Sequence, residues 1–178
     1  MNQQSLANTA LVLELPFPVQ QKMQQLRERF DPVLAKNIPG EITIAGSSGL
    51  GTIAAGQNSE LVLGELNQIA RETKAFTARF GPVRRFPDST VYVFLPEPET
   101  PFQRLHQLLK QSLISFAPSK YPFQPHCSLH IWGKLTSEQE TEILQAKLTE
   151  IFTLTNLALY QQVSEQAVAL IERFYFSP

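Results

Sequence analysis

The chain has 178 residues, a formal net charge of −1 and a sequence pI of about 6.3. Its 43% hydrophobic and 17% charged residues exclude a disordered chain and suit a single domain over residues 1–178, while the near-neutral charge excludes the broad basic footprint of a protein that grips long nucleic acid. Cys127, the single cysteine, excludes an internal disulfide or CxxC site; with no basic n-region at the N-terminus and an apolar run at 10–15 too short for a bilayer, the expectation is a cytoplasmic protein with no membrane partner.

Residues 1–8 are polar and expected to fray. Ala10–Leu15 reads as a strand ended by Pro16 and Pro18. Val19, Met23, Leu26 and Phe30 then recur at helical spacing up to Asp31-Pro32. The basic residues of that helix, Lys22, Arg27 and Arg29, read as a solvated face. Ile38-Pro39-Gly40 leads into the β-branched strand Glu41–Ala45, where Glu41 and Thr43 share one face and Ile42 and Ile44 the other. The glycine-rich run Gly46–Thr52 lacks the spacing of a Walker or dinucleotide motif and reads as a loop.

Ser59 is placed to cap a helix carrying Val62, Leu66, Ile69 and Ala70. Phe76–Phe86, with Arg79, Arg84 and Arg85, and Thr90–Leu95 read as an antiparallel hairpin turned at Pro87-Asp88-Ser89. Thr100-Pro101 opens a helix with Leu105, Leu108, Leu109 and Leu113 inside, in which His106 has no assigned role. A proline-bearing aromatic loop, Pro118–Pro125, delivers the chain to His126-Cys127-Ser128-Leu129-His130. Ser137-x-x-Glu140 resembles a capping box for a helix, and Phe152–Tyr160 and Ala167–Phe176 read as strands.

The concentration of reactive side chains is in Pro125–His130. Strict alternation would set His126, Ser128 and His130 on one face and Cys127, Leu129 and Ile131 on the other. Two imidazoles and a hydroxyl are costly to bury together without a role. The order of elements after Glu41-Ile42-Thr43 also recurs after His126-Cys127-Ser128, each time a helix, a Phe-Thr opening an extended segment (Phe76-Thr77, Phe152-Thr153) and another strand. That echo predicts an α+β fold of two intertwined lobes of antiparallel sheet and helices, related by a pseudo-twofold axis. The stretches near 39–46 and 125–132 would then face each other across a central cleft.

With these features the chain resembles the 2H phosphoesterase superfamily, which includes 2′-5′ RNA ligase-like proteins and cyclic phosphodiesterases. That family carries two His-x-Thr/Ser motifs, one per lobe. Pro125-His126-Cys127-Ser128 fits the second motif, and Pro39-Gly40-Glu41-Ile42-Thr43 fits the first except that Glu41 stands where the family has His. The resemblance implies action without metal or cofactor on 2′,3′-cyclic or 2′-5′ phosphodiesters of nucleotides or RNA ends. One motif residue takes a proton, the other gives one, and Thr43 and Ser128 hold the phosphate oxygens. Its partners would be a small phosphate ester, a cyclic nucleotide or an RNA end; the oligomeric state is left open.

Glu41 divides the readings. As an ionised carboxylate it serves as base and raises the pKa of His126, which becomes the acid. Alternatively the chain is an inactive member that binds a phosphate ester in the same cleft. Glu41 can also be read as an exposed strand residue paired with Arg79 or Arg85, the arginines that would offset its charge beside a phosphate. A metal site of Glu41, His126 and His130 is disfavoured, because i and i+4 on a strand lie about 13 Å apart; His130 reads as a cleft-edge or core residue.

Overall fold

Strand β1 (Thr9–Glu14) and strand β2 (Glu41–Ala45) lie antiparallel, with Leu11, Leu13, Ile42 and Ile44 buried on one face. On the other face Glu14 stands opposite Glu41 and Val12 opposite Thr43. Residues 5–178 are described in this computed structural model; the expected fraying of residues 1–4 lies outside them. Leu6 is buried, and Asn8 N donates to Ile53 O at 3.2 Å, so the polar stretch is anchored from there on.

Helix α1 (Val19–Phe30) ends at Asp31, and Pro32 opens a short second helix, α2 (Pro32–Asn37). The Asp31 carboxylate caps α2 by accepting from Leu34 N at 3.0 Å. A two-stranded ribbon joins β3 (Thr52–Ile53) to β6 (Phe116–Ala117). Helix α3 (Ser59–Glu72) packs against the last strand of the chain, and α4 (Thr100–Gln111) against β2.

Four further strands complete a second sheet: β4 (Phe76–Arg85), β5 (Tyr92–Glu97), β7 (Cys127–His130) and β8 (Phe152–Leu154), in the order β7-β5-β4-β8. After helix α5 (Ser137–Gln145) and β8, strands β9 (Asn156–Ser164) and β10 (Ala167–Tyr175) return to the first sheet, ordered β10-β9-β1-β2. The architecture is α+β, with two four-stranded antiparallel sheets related by a pseudo-twofold arrangement. The hairpin that follows each motif strand belongs to the other motif's sheet. Phe76-Thr77 and Phe152-Thr153 meet each other antiparallel, with Thr77 opposite Thr153, the pairing that a local twofold between equivalent segments requires.

Several local expectations shift by a residue or two. Asn58, not Ser59, caps α3, accepting from Glu60 N and Leu61 N. The capping box of α5 is Thr136 with Gln139, one residue ahead of the Ser137/Glu140 pattern. The stretch 152–160 breaks at Thr155 into β8 and β9, which pair in different sheets. Among the described residues no helix is long and apolar enough to cross a membrane.

Candidate active site at the junction of the two motif strands

Strands β2 and β7 are each the edge of a four-stranded sheet, and they pack side by side. What joins them is Arg27. The spacing Val19, Met23, Arg27, Phe30 puts this arginine on the buried stripe of α1, fully enclosed at 0% exposure. The expectation of a solvated basic face holds for Lys22 and Arg29, which pair with Glu150 and Glu142, and fails for Arg27. Its Nη1 donates to Ile38 O (2.8 Å) and Pro39 O (3.0 Å), just ahead of Glu41. Its Nε donates to Ser128 O (2.9 Å), and its Nη2 lies 3.7 Å from Cys127 Sγ. One planar guanidinium thus holds the entry to β2 and the backbone of β7 in fixed register, a task suited to its rigid fork of donors.

Glu41 is half-buried, and its Oε2 accepts from Thr43 Oγ1 at 3.1 Å. Burial pushes its carboxyl up to about 7, against the opposing pull of the Arg27 charge and the Thr43 hydrogen bond. Cross-strand Glu14 behaves in the opposite way. Burial alone would raise it, but Arg173 (2.5 and 2.9 Å) and Tyr160 Oη (2.6 Å) donate to its oxygens and hold it below the usual carboxylate range. Of two neighbouring carboxyls, Glu14 is therefore fixed as an anion and Glu41 is free to carry a proton near neutrality.

His126 ends the proline-bearing loop one residue ahead of β7. Its Nδ1 lies 2.7 Å from Gln124 O. A carbonyl can only accept, so Nδ1 carries the proton and the Nε2 lone pair of the neutral ring is left available. Phe86 packs edge-on against the ring, centroids 4.9 Å apart. Burial pushes His126 below its ordinary value, opposed by the Gln124 bond. The expected upward shift of His126 by Glu41 is absent, since burial outweighs the forces that would favour the charged ring.

The alternation expected for β7 breaks at a bulge. Val93 pairs with Ser128 but Tyr92 with His130, which leaves Leu129 as the extra residue. His130 therefore turns to the Tyr92 face and lies inside the protein at 2% exposure, its Nδ1 donating to Phe30 O at 2.9 Å. Ser128 stays on the face of His126, in the cross-strand row Ser128–Val93–Arg84. Arg84 is exposed on that row. Arg85 stands in the row with Tyr92 and His130, bonded to Ser89 O and 3.7 Å from Glu140. Arg79 pairs with Glu97 at the far end of the hairpin, beside a separate hollow lined by Thr77 and Ile151. The arginine whose charge acts on Glu41 is neither of these but Arg27. Cys127 is buried, and burial pushes its thiol up to about 11.

Two four-stranded antiparallel sheets thus meet along edge strands, one carrying Glu41 and Thr43 and the other Ser128, with His126 just ahead of it. The family model of the 2′-5′ RNA ligase superfamily matches residues 15–166, which include both motif strands. The chain belongs to that superfamily, the 2H phosphoesterase group. Among solved structures it is similar to Escherichia coli LigT in apo form, at 17% identity and a TM-score of 0.67 over 98% of this chain and 100% of that one. LigT complexed with 3′-AMP matches at 15% identity and a TM-score of 0.63, over 98% and 100% of the two chains. TT0787 of Thermus thermophilus matches at 16% identity and a TM-score of 0.62, over 94% and 97%. No curated protein sequence matches the chain.

Proposed function

We propose that this protein hydrolyses 2′,3′-cyclic or 2′-5′ phosphodiesters of nucleotides or RNA ends by metal-independent acid–base catalysis, with Glu41 and His126 as the proton-transferring pair. The observation that carries the reading is the protonation pattern at the strand junction. His126 Nδ1 is committed to Gln124 O and burial disfavours the charged ring, while burial pushes the Glu41 carboxyl up to about 7. This favours roles opposite to those suggested by ordinary side-chain pKa values. His126 Nε2 takes the proton of the attacking water, whose oxygen bonds to phosphorus. The phosphorus–oxygen bond to the ribose breaks, and Glu41 gives its proton to the departing oxygen. Solvent then restores both groups. A catalytic carboxyl tuned close to the working pH is effective in this role. Thr43 and Ser128 donate to the non-bridging oxygens, and Arg84, on the Ser128 row, adds positive charge. In support, the similar LigT has been crystallised with 3′-AMP and with phosphate.

The test is turnover of 2′,3′-cyclic nucleotides and 2′-5′-linked dinucleotides with EDTA present. The reading requires turnover by the wild type that falls about 10²- to 10⁴-fold in His126→Ala and in Glu41→Gln. Turnover no greater than that of the double variant would reject it, and binding without turnover, lost in Thr43→Ala and Ser128→Ala, would identify a binding protein instead.

A further inference from the structure

Behind the second motif strand lies a small hollow of about 220 Å³, lined by Thr90, Tyr92, His130, Lys134, Leu135 and Glu140. The bulge at Leu129 sets it on the Tyr92 face of the β7–β5 pair, opposite the face that carries Ser128. It is therefore separate from the junction of β2 and β7. His130 is 2% exposed, and its ring is fixed: Nδ1 donates to Phe30 O, and Tyr92 packs against it with centroids 6.2 Å apart. With the proton on Nδ1, the ring's other polar atom is the Nε2 lone pair, which is buried and has no partner among the described residues. A buried acceptor left unpaired is costly. The neighbouring groups do not relieve it. Asp31, 3.7 Å from Nδ1, accepts from Leu34 N, Ile131 N and Trp132 N. Tyr92 Oη donates to Glu140 Oε1 at 3.0 Å, and Arg85 stands 3.7 Å from the same oxygen. Lys134 is exposed and has no ion pair among the described residues.

We infer that this hollow binds a small hydroxy acid, its hydroxyl donating to His130 Nε2 and its carboxylate held by Lys134. Three features select that class. The unpaired acceptor calls for an O–H on the ligand. The unpaired ammonium calls for an anion and repels the metal ion that a lone imidazole and carboxylate would otherwise attract. Glu140, although paired, lines the same hollow, which favours a singly charged carboxylate over a phosphate ester of nearly two charges. Size agrees, since the volume is below the roughly 300 Å³ at which pockets for drug-sized ligands begin. The site is independent of the proposed phosphodiester chemistry.

The probes are lactate, which carries both groups, and acetate and propan-2-ol, which carry one each. Binding to the full chain is followed through the nitrogen-15 signals of the 3 histidines, those of His130 being the set that survives in both His106→Gln and His126→Gln. Lactate is expected to shift the His130 Nε2 signal saturably and to leave the His126 signals in place. Acetate and propan-2-ol should each bind about tenfold more weakly or less, since each lacks one of the two polar contacts. Lys134→Gln, a change at an exposed residue, should weaken lactate about tenfold while leaving the signals of the free ring unchanged. A His130 Nε2 signal that lactate does not move would overturn the assignment and leave the hollow to water. So would lactate binding that Lys134→Gln does not weaken, acetate binding as tight as lactate, or a shift at His126 in place of His130.

Discussion

The two motif strands are alike in placement and different in how each holds its lead residue. β2 and β7 are both sheet edges, both carry a hydroxyl on the outward face, and both are held by Arg27. In β7 the lead residue His126 stands ahead of the strand, its tautomer set by a backbone carbonyl and its ring held by Phe86. In β2 the lead residue Glu41 lies within the strand, bonded by its own Thr43 and facing Glu14. Burial favours the uncharged form of both groups, which moves an imidazole down and a carboxyl up. The Glu41 carboxyl is thereby brought to about 7, into the range where a histidine ordinarily works.

Breaking the shared support should produce the largest effect. Arg27→Met leaves the carbonyls of Pro39 and Ser128 without the Arg27 donor and that of Ile38 with only Gln24 Nε2 at 3.4 Å, and is expected to cost about 3 kcal/mol or more in urea unfolding. Lys22→Ala and Arg29→Ala, on the exposed side of the same helix, should each cost less than about 1 kcal/mol.

Next comes Glu41 itself. Its folded pKa of about 7 lies above its unfolded value near 4.5, so the folded state binds its proton more tightly. The resulting stabilisation is fully present below about pH 4.5 and is lost as pH rises through about 7, at most about 3 kcal/mol across the window. His126, lowered by burial, acts with the opposite sign: its contribution is present above about pH 6.5 and falls away on acidification. Unfolding free energies of wild type and Glu41→Gln, compared across pH 4–8, isolate the carboxyl contribution, and Glu41→Gln should lack the decline.

Smaller effects sharpen the contrast. Phe86→Leu removes the edge-on ring from His126 and should cost about 1 kcal/mol while moving the imidazole pKa upward, followed by proton NMR. Tyr160→Phe removes one of the donors to Glu14 and should cost about 1 kcal/mol, raising the Glu14 pKa without changing the Arg173 pair.

Much of this arrangement is legible in the residues because strands and helices have fixed periods. Alternation in Glu41–Ala45 places Ile42 and Ile44 inside and Thr43 outside, as observed. The repeated Phe-Thr segments anticipate two sheets, although only the strand pairing reveals that the halves exchange hairpins. Arg27 escapes a reading by residue type because a basic residue on a helix is ordinarily solvated, yet its spacing from Val19, Met23 and Phe30 already places it on the buried stripe. His130 is misplaced by alternation because a one-residue bulge at Leu129 leaves no mark in composition. Glu14, Arg173 and Tyr160 lie far apart in the chain and come together only through the order β10-β9-β1-β2.

The most direct test is titration of the Glu41 side-chain carboxyl by carbon-13 NMR, assigned by its disappearance in Glu41→Gln. A midpoint near pH 7, well above the ordinary 4.5, is the expected result, with the Glu14 carboxyl titrating below its ordinary value in the same spectra. A Glu41 midpoint at or below 4.5 would make it an ordinary ionised strand residue and would contradict the proposal that it donates the proton.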